Sequence, residues 1–368
     1  MPISNSQKRL IEKNNSAMVS TSLFGMGLRG SVPPACAHAT NLYGRILHLW
    51  GKILVSLQKL HIFRPQRWYH NKKGRHCVRI PAGVFRRHNE VLFLSAISIL
   101  VTLNEHYLPQ LEVMLTSLHA SNPGETVSVW LIHRSLTPAH LARLERRCGL
   151  LGFSLHPLTA GEELFRDAPL TRQYPQEMYY RLLAGQLLPQ EMHRVIYLDP
   201  DILVINPLRP LWELDLAGRM FAAAAHTGKT ELANSVNQVR LGTNHNYYNS
   251  GVLLIDLDAA RRWIDPAALF AFTKKHAREL LFPDQDLLNM LYGERVLALD
   301  DAVWNYDARN FNNYYLRSGG DCDMDWVLTH TAVLHFCGKA KPWKPGYRRR
   351  FGPLYKHYMR LTQLALPD

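Results

Sequence analysis

The strongest chemical signal in the sequence is a pair of carboxylates, Asp199 and Asp201, directly after the mostly apolar segment Arg194 to Leu198. Such a short apolar run predicts a buried strand, and ligands of open α/β sheets bind beyond the carboxyl ends of strands. Two carboxylates at that place suit a hard divalent cation that also holds a diphosphate. Because Asp199-Pro200-Asp201 is equally typical of a plain turn after a strand, the pair alone leaves both interpretations open.

A second signal is His335, which follows a short apolar strand and precedes Gly338 and Lys341. Imidazole combined with carboxylates suits Mn²⁺. A glycine lets the backbone approach a phosphate closely, and a lysine neutralises phosphate as a point charge. The segment therefore indicates a diphosphate site, with a structural histidine followed by a solvated loop as the alternative.

Two other segments carry polar side chains that could face a substrate. Asp284 and Gln285 begin a predicted helix, where an acid is also explained as an N-cap. Asn249 and Gly251 precede a predicted buried strand, where turn chemistry explains an amide and a glycine equally well. Neither segment identifies a function by itself.

The order and combination of these segments resemble glycosyltransferase family 8, which includes bacterial lipopolysaccharide galactosyl- and glucosyltransferases and is related to glycogenin. The resemblance runs from about Ile97 to Trp343. The motifs that carry it are Tyr179 to Leu182, Asp199 to Asp201, Pro210 to Leu216, Asn249 to Gly251, Asp284 to Asp286 and His335 to Trp343.

The resemblance implies an α/β fold of the GT-A type, a single domain with a Rossmann-like, mostly parallel central sheet flanked by helices. It also implies a retaining enzyme that moves a hexose, galactose or glucose, from a UDP-sugar to a hydroxyl of a saccharide or glycolipid acceptor with the help of Mn²⁺ or Mg²⁺. By the same resemblance, Asp199, Asp201 and His335 hold the metal, and Gln285 and Asp284 act at the reacting sugar. The residues implied to contact the donor are Thr102, Asn104, Tyr107, Arg181, Leu198, Asn249, Gly251, Gly338 and Lys341.

One departure from the family pattern concerns the nucleoside. Many members end the first strand in an Asp-x-Asn-Tyr-like sequence, whereas this chain has Asn104-Glu105-His106-Tyr107. Asn104 still offers both a donor and an acceptor to uracil, so a nucleoside contact is expected there.

The implied mechanism is mostly assistance to the UDP leaving group, in which the metal and Lys341 stabilise the charge that accumulates on it. Retention follows either from front-face attack, in which a donor phosphate oxygen takes the acceptor proton, or from a covalent glycosyl-enzyme. Because an amide is a poor nucleophile, Gln285 favours the front-face route.

From residue 91 onward, apolar runs alternate with amphipathic segments, which predicts βαβ units and a largely parallel sheet. For one helix, Thr137 is the expected N-cap, Pro138 the first residue and Gly149 the C-cap. The predicted strands are Ile97 to Leu103, Thr126 to His133, Phe153 to His156, Arg194 to Leu198, Phe221 to Ala225 and Val252 to Ile255. The predicted helices are Leu108 to Ala120, Thr137 to Gly149, Gln176 to Leu188, Pro266 to His276 and Asp284 to Tyr292.

The formal charge of +13 belongs entirely to residues 1–90, which hold 15 Lys and Arg against two acids, whereas residues 91–368 hold 28 of each sign. Residues 1–90 are therefore interpreted as a basic, weakly ordered extension and residues 91–368 as the glycosyltransferase domain. Within the extension, Asn41 to Phe63 has the spacing of a basic amphipathic helix that could lie on a membrane surface. A translation start near Val91 and a transit peptide are the alternatives.

Composition excludes several classes of protein. The neutral charge of the part that carries the motifs argues against nucleic acid as a partner. Five widely spaced cysteines without a Cys-x-x-Cys pair argue against a disulfide scaffold and favour a reducing compartment. With no apolar run of about 18 residues in the sequence, we expect a cytoplasmic protein, with peripheral contact at the inner face of the membrane through basic segments as an additional hypothesis.

Three other functions compete with this interpretation. Gly25 to Gly30 matches the dinucleotide fingerprint, but it runs into Pro33-Pro34 where a helix must begin, which argues against a dehydrogenase. Metal-dependent nucleotidyl or phosphoryl transfer uses the same paired carboxylates, and a non-catalytic protein could bind a nucleotide sugar, so both stay open at this point.

Overall fold

The computed structural model describes residues 95–171, 175–225 and 231–365, so the predictions for residues 1–90 and for a boundary near residue 91 lie outside the described part. Its strands are β1 (Ile97–Thr102), β2 (Val127–His133), β3 (Ser154–Thr159), β4 (Arg194–Leu198), β5 (Ile202–Val204), β6 (Phe221–Ala225), β7 (Tyr248–Asp256), β8 (Val296–Leu299), β9 (Tyr306–Asp307) and β10 (Val333–His335).

The α-helices of the same residues are α1 (Leu108–Ser121), α2 (Pro138–Leu150), α3 (Ala184–Leu187), α4 (Arg209–Trp212), α5 (Glu231–Leu241), α6 (Leu257–Trp263), α7 (Pro266–Lys275), α8 (Pro283–Tyr292), α9 (Asp301–Trp304), α10 (Phe311–Arg317), α11 (Met324–His330) and α12 (Gly352–Ala365). Short 3₁₀ helices span Glu105–Tyr107, Glu162–Phe165, Gln176–Tyr179 and Gly293–Arg295. None of the described helices is long and apolar enough to span a membrane.

Within the described residues, seven strands form a central sheet in the order β3-β2-β1-β4-β7-β6-β8. The strands β3, β2, β1 and β4 are parallel to one another, as are β6 and β8, whereas β7 is antiparallel to both of its neighbours. The predicted α/β fold with a mostly parallel sheet is confirmed. The chain leaves β1 toward β2 and later returns to its other side with β4, which places a topological switch point at the carboxyl ends of β1 and β4, where such sheets bind ligands.

The strand β4 is apolar along most of its length because it is covered on both faces. Val195 and Tyr197 pack into one hydrophobic cluster, and Ile196 and Leu198 pack into the cluster on the opposite face. The polar residues that follow Leu198 therefore emerge where the strand leaves the core.

A small second sheet of described strands has the order β5-β10-β9. The strand β10 is antiparallel to β5 with His335 opposite Ile202, and it is parallel to β9 with His335 opposite Asp307. This pairing carries the end of β10 to the segment that follows β4.

The helix predicted over Gln176 to Leu188 is wrong as a single helix. The chain there forms the 3₁₀ turn Gln176–Tyr179, further turns and the short helix α3. The physical reason is burial, because Met178, Ala184 and Gly185 are buried as well as Tyr179, Tyr180, Leu182 and Leu183, so a regular helix here would have to bury every face. The irregular backbone also turns Arg181 toward the end of β4.

Three local predictions are corrected as well. The helix α2 begins at the expected cap, since the Thr137 side chain accepts from the His140 amide, but it continues through Leu150, and Gly152 rather than Gly149 takes the left-handed conformation, at φ 69°. Asp284 is not an N-cap, because Phe282 occupies that position and the Asp286 carboxylate accepts from the amides of Leu281 and Phe282.

The strand β7 begins at Tyr248 instead of Val252, so Asn249 and Gly251 lie within it and not in a turn before it. Pairing of β7 with β4 extends up to Leu198 opposite Val252, and beyond that pair the Asp199 amide donates to the Gly251 carbonyl at 2.8 Å. Long-range pairing with β4 therefore holds this segment in the strand.

Candidate active site

Three chain segments meet where β4 ends. Asp199 is held beside β7 by its amide bond to Gly251. Two residues later, the Asp201 carbonyl accepts from the amide of Phe336, which follows β10, at 3.0 Å. The carboxylates of the Asp-Pro-Asp segment and the imidazole at the end of β10 are thereby brought together by backbone hydrogen bonds.

The side chains of Asp199, Asp201 and His335 each offer a ligand atom, and these atoms lie within 4.8 Å of one another. The His335 Nε2 atom is 3.2 Å from Asp201 Oδ1 and 3.8 Å from Asp199 Oδ2. Gly251 leaves the space beside them open, since a Cβ there would lie 2.4 Å from His335 Cε1 and 2.6 Å from Asp199 Oδ2. Two carboxylates and an imidazole around such a space fit a divalent cation that accepts both oxygen and nitrogen ligands.

The charges around these residues are arranged as ion pairs. Arg181 lies 3.1 Å from Asp199 and 3.0 Å from Asp284, and Lys341 is paired with Asp201. Burial alone would raise the pKa of the Asp201 carboxyl, but His335 and Lys341 outweigh burial and hold it well below its usual range. Asp201 is therefore ionised at neutral pH, as a metal ligand must be.

Tyr197, to which the sequence assigned no role, supports the first carboxylate from behind. Its hydroxyl donates to Asp199 Oδ1 at 2.6 Å and lies 3.3 Å from the Thr102 hydroxyl. Burial raises the pKa of Tyr197 well above its usual value, so the phenol stays a donor. The Arg181 guanidinium lies over the Tyr197 ring at 4.5 Å, which fixes the arginine between Asp199 and Asp284.

Two adjoining cavities open at these residues. One has a volume of about 450 Å³ and is lined by Asn249, Asp284, Gln285 and Gly338, among others. The second, of about 340 Å³, is lined by Thr102, Asn104 and Tyr107. Arg181, Asp199, Asp201 and Asp284 line both, so the carboxylates and the arginine form the boundary between the two spaces.

The polar residues of β7 and α8 meet on one wall of the larger cavity. Asp284 accepts from the Ser250 hydroxyl at 2.9 Å, in addition to its pair with Arg181. The Asn249 side-chain amide donates to Gln285 Oε1 at 2.9 Å. Two segments that looked ordinary separately in the sequence thus form one hydrogen-bonded surface.

Two of the predicted donor contacts, Leu198 and Lys341, line neither of these two cavities. Leu198 is fully buried in the core and lines neither cavity, because strand alternation points it to the opposite side from Tyr197. Lys341 lines an adjoining groove with Tyr107 and Gly338, where its ammonium group is bound by Asp201 and by the Phe336 carbonyl at 2.9 Å.

The glycine predicted to approach a phosphate does have a conformation that favours glycine. Gly338 has φ 82°, and a Cβ there would lie 2.6 Å from the guanidinium of Arg309. Arg309 itself is paired with the buried Asp307 at 2.6 Å, so the guanidinium is held in place beside the larger cavity.

Asn305, like Tyr197, had no role assigned from the sequence. It is fully buried and lies at the end of α9, where its side-chain oxygen is 2.9 Å from His335 Nδ1. A single asparagine after a short helix carries no motif, so only the folded chain shows this contact.

Comparison with known proteins identifies the family. Residues 98–345 match the model of glycosyl transferase family 8. General stress protein A of Bacillus subtilis (strain 168) is 27% identical over 268 residues, which cover 71% of this chain and 92% of that protein. The lipopolysaccharide glucosyltransferase WaaO of Escherichia coli (strain K12) is 27% identical over 192 residues, or 50% of this chain and 54% of that protein.

Solved structures show the same fold. The galactosyltransferase LgtC, determined in complex with donor and acceptor sugar analogs, superposes with a TM-score of 0.60 at 24% identity, covering 72% of this chain and 96% of that one. The glycosyltransferase GlyE of Streptococcus pneumoniae TIGR4 gives a TM-score of 0.53 at 20% identity, over 75% of this chain and 61% of that one. The fold is that of GT-A enzymes, and the chain belongs to glycosyltransferase family 8, which makes it a glycosyltransferase.

Proposed function

We propose that this enzyme moves a hexose, galactose or glucose, from a UDP-sugar to a hydroxyl of a saccharide or glycolipid acceptor, with retention of configuration and with Mn²⁺ or Mg²⁺. The observation that carries the proposal is the convergence of Asp199, Asp201 and His335 within 4.8 Å at the boundary of two cavities. A nucleotide sugar is long enough to lie across that boundary, with its diphosphate next to the three side chains.

In this proposal each cavity holds one part of the donor. The smaller cavity takes the nucleoside, for which Thr102, Asn104 and Tyr107 supply polar and aromatic contacts. The larger takes the sugar, for which Asn249 and Asp284 supply an amide and a carboxylate. Polar groups that line a sugar site discriminate between hydroxyl patterns, because a wrong sugar leaves them unpaired.

A divalent cation held by Asp199, Asp201 and His335 would neutralise charge on the diphosphate leaving group. The chain's own cations act on the same group. Lys341 lies close enough to the carboxylates to exchange its contact with Asp201 for a phosphate oxygen, and Gly338 would let the backbone come near the diphosphate. Arg181 keeps Asp199 and Asp284 in position.

For retention, we propose front-face attack with the acceptor proton passing to a donor phosphate oxygen. The support is that the acids near the sugar wall are already engaged. Asp286 has no exposed side-chain surface and is bound to Arg240 at 2.7 Å, and Asp284 is held by Arg181 and Ser250. Gln285, which lies between them in sequence, is an amide and a poor nucleophile.

The experiment that tests this function is a donor screen by UDP release, using UDP-galactose, UDP-glucose and other UDP-sugars with Mn²⁺, with Mg²⁺ and with EDTA. We expect metal-dependent release of UDP from a hexose donor, followed by acceptor identification with the preferred donor. Release of pyrophosphate would instead indicate nucleotidyl transfer and would overturn the proposal.

A cytoplasmic location with peripheral contact to an anionic membrane also stays part of the proposal. The basic residues Arg348, Arg349 and Arg350 are exposed just before α12. Each basic residue near an anionic surface contributes about 1 kcal/mol. Cosedimentation with vesicles that contain anionic lipid, compared with purely zwitterionic vesicles, tests this contact.

A further inference from the structure

A chain of side-chain amides connects the imidazole of the candidate metal site to the sugar wall of the larger cavity. The His335 Nδ1 atom lies 2.9 Å from Asn305 Oδ1. Asn305 Nδ2 donates to Asn249 Oδ1 at 2.9 Å, and Asn249 Nδ2 donates to Gln285 Oε1 at 2.9 Å. We call Asn305, Asn249 and Gln285 the amide chain.

One backbone group determines the direction of the whole amide chain. The amide of Gly251 donates to Asn249 Oδ1 at 2.9 Å, and a backbone N–H is always a donor. The atom that receives it must therefore be the carbonyl oxygen of Asn249. Asn305 in turn must present its NH₂ group to that oxygen and its carbonyl oxygen to His335.

Two consequences follow at the ends of the amide chain. Since Asn305 offers an acceptor to His335 Nδ1, the imidazole keeps a proton on Nδ1, and Nε2, the atom near Asp199 and Asp201, is the nitrogen that can give a lone pair to a metal ion. At the other end, Gln285 Oε1 is occupied by Asn249, and the Gln285 NH₂ group uses one hydrogen on the Tyr247 hydroxyl, so its second hydrogen is the donor available to the larger cavity.

We propose that Asn305 is a positioning residue that fixes the metal-binding tautomer of His335 and, through Asn249, makes Gln285 a hydrogen-bond donor toward the transferred sugar. Asn305 is fully buried, so bulk water does not reach its amide. Partners that orient a ligating histidine through its other nitrogen are worth about 10- to 100-fold in metal affinity. The inference rests on the metal role proposed above.

The first test is the affinity for Mn²⁺ alone, measured without donor from the electron paramagnetic resonance signal of free Mn²⁺. We expect Asn305→Leu to weaken Mn²⁺ binding by about 10- to 100-fold. The matched control is Asn122→Leu, which removes another buried amide whose partners, Leu118, Ser121 and Leu208, lie in α1 and before α4. The control is expected to bind Mn²⁺ within about twofold of the wild-type protein.

A second variant, Asn305→Asp, tests the contact with His335 separately from the contact with Asn249. It also keeps the inference testable if Asn305→Leu fails to fold. Asn305→Asp keeps the shape and the acceptor for His335 Nδ1 but loses the donor to Asn249. We expect Mn²⁺ affinity within about threefold of wild type. We also expect kcat for UDP release to fall by about tenfold or more, because Asn249 and Gln285 lose their fixed orientation.

The outcomes distinguish this inference from the proposed function. If the wild-type protein binds no Mn²⁺, the metal role itself fails. If wild type binds Mn²⁺ and Asn305→Leu binds it equally well, or if Asn305→Asp loses Mn²⁺ affinity by about tenfold or more, the tautomer assignment is wrong. A wild-type kcat in Asn305→Asp overturns the assignment of Gln285 as an oriented donor.

Discussion

Gly251 and His335 approach so closely that a Cβ on the glycine would lie 2.4 Å from Cε1 of the imidazole. The same Cβ would lie 2.6 Å from Asp199 Oδ2, so even the smallest side chain would fill the space between two proposed metal ligands. The glycine has an ordinary strand conformation within β7, and space rather than backbone freedom is what requires it.

We therefore predict that Gly251→Ala loses Mn²⁺ binding and metal-dependent UDP release while it keeps cooperative unfolding. The methyl group must displace either His335 or Asp199, and both are needed for the proposed site. Titration with Mn²⁺ measures the first effect and a urea transition the second. Gly149→Ala in α2 is the matched control, because a Cβ there meets nothing within 4 Å. Undiminished Mn²⁺ affinity in Gly251→Ala would place the metal elsewhere.

We predict that Asp201→Asn abolishes metal-stimulated UDP-sugar hydrolysis and leaves the fold intact. The substitution removes a charge that pairs with both His335 and Lys341. Because charge stabilisation by a bound metal is worth several kcal/mol, kcat should fall by about 100-fold or more. Asp325→Asn on the exposed face of α11 serves as the control. Metal-stimulated turnover at the wild-type rate in Asp201→Asn would refute the assignment.

We predict that Asp286→Asn lowers the free energy of unfolding by about 3 kcal/mol at neutral pH, the order expected when one member of a buried ion pair is removed. The Asp286 carboxylate binds Arg240 of α5 and accepts from the Tyr247 hydroxyl at 2.5 Å. It therefore connects α8 to the segments that carry Asn237 and Tyr247 on the cavity wall. Urea transitions of both proteins measure the difference.

We also predict how the stability difference between the wild-type protein and Asp286→Asn depends on pH. Burial raises the pKa of Asp286, but hydrogen bonds from Arg240 and Tyr247 outweigh burial, so the pKa in the folded protein is lowered. A lowered pKa contributes stability that is complete above the unfolded value of about 3.9 and is lost as the pH falls through the folded value. The difference in the free energy of unfolding between wild type and Asp286→Asn should therefore be constant near neutral pH. It should become smaller below about pH 4. A difference that does not change with pH would contradict the ion pair.

We predict that a protein beginning at Val91 retains donor binding. The predicted donor contacts begin at Thr102, and the excess positive charge is confined to residues 1–90. Isothermal titration with UDP and Mn²⁺ should give dissociation constants within about twofold for the full-length and shortened chains. Loss of folded protein on truncation would show that residues 1–90 contribute to the structure of the domain.

The sequence by itself determined much of the fold and of the local chemistry. Alternating apolar and amphipathic segments identified the described strands of the central sheet except β8, because burial on both faces leaves a continuous apolar run. The apolar residues of Arg194 to Leu198 predicted β4 with its correct ends, and Thr137 predicted the start of α2 through capping chemistry. The order of the motifs along the chain identified the family, because each motif can be recognised from its own residues.

Only the tertiary structure decided how those segments act on one another. Gln176 to Leu188 departs from a helix because its buried side chains must fit against the rest of the core, and the start of β7 moves to Tyr248 because β4 lies beside it. Asn305 and Tyr197 have no local pattern that marks them. Their roles arise because strand pairing brings distant segments within hydrogen-bond distance, where the amide of Gly251 determines the direction of the amide chain that ends at His335.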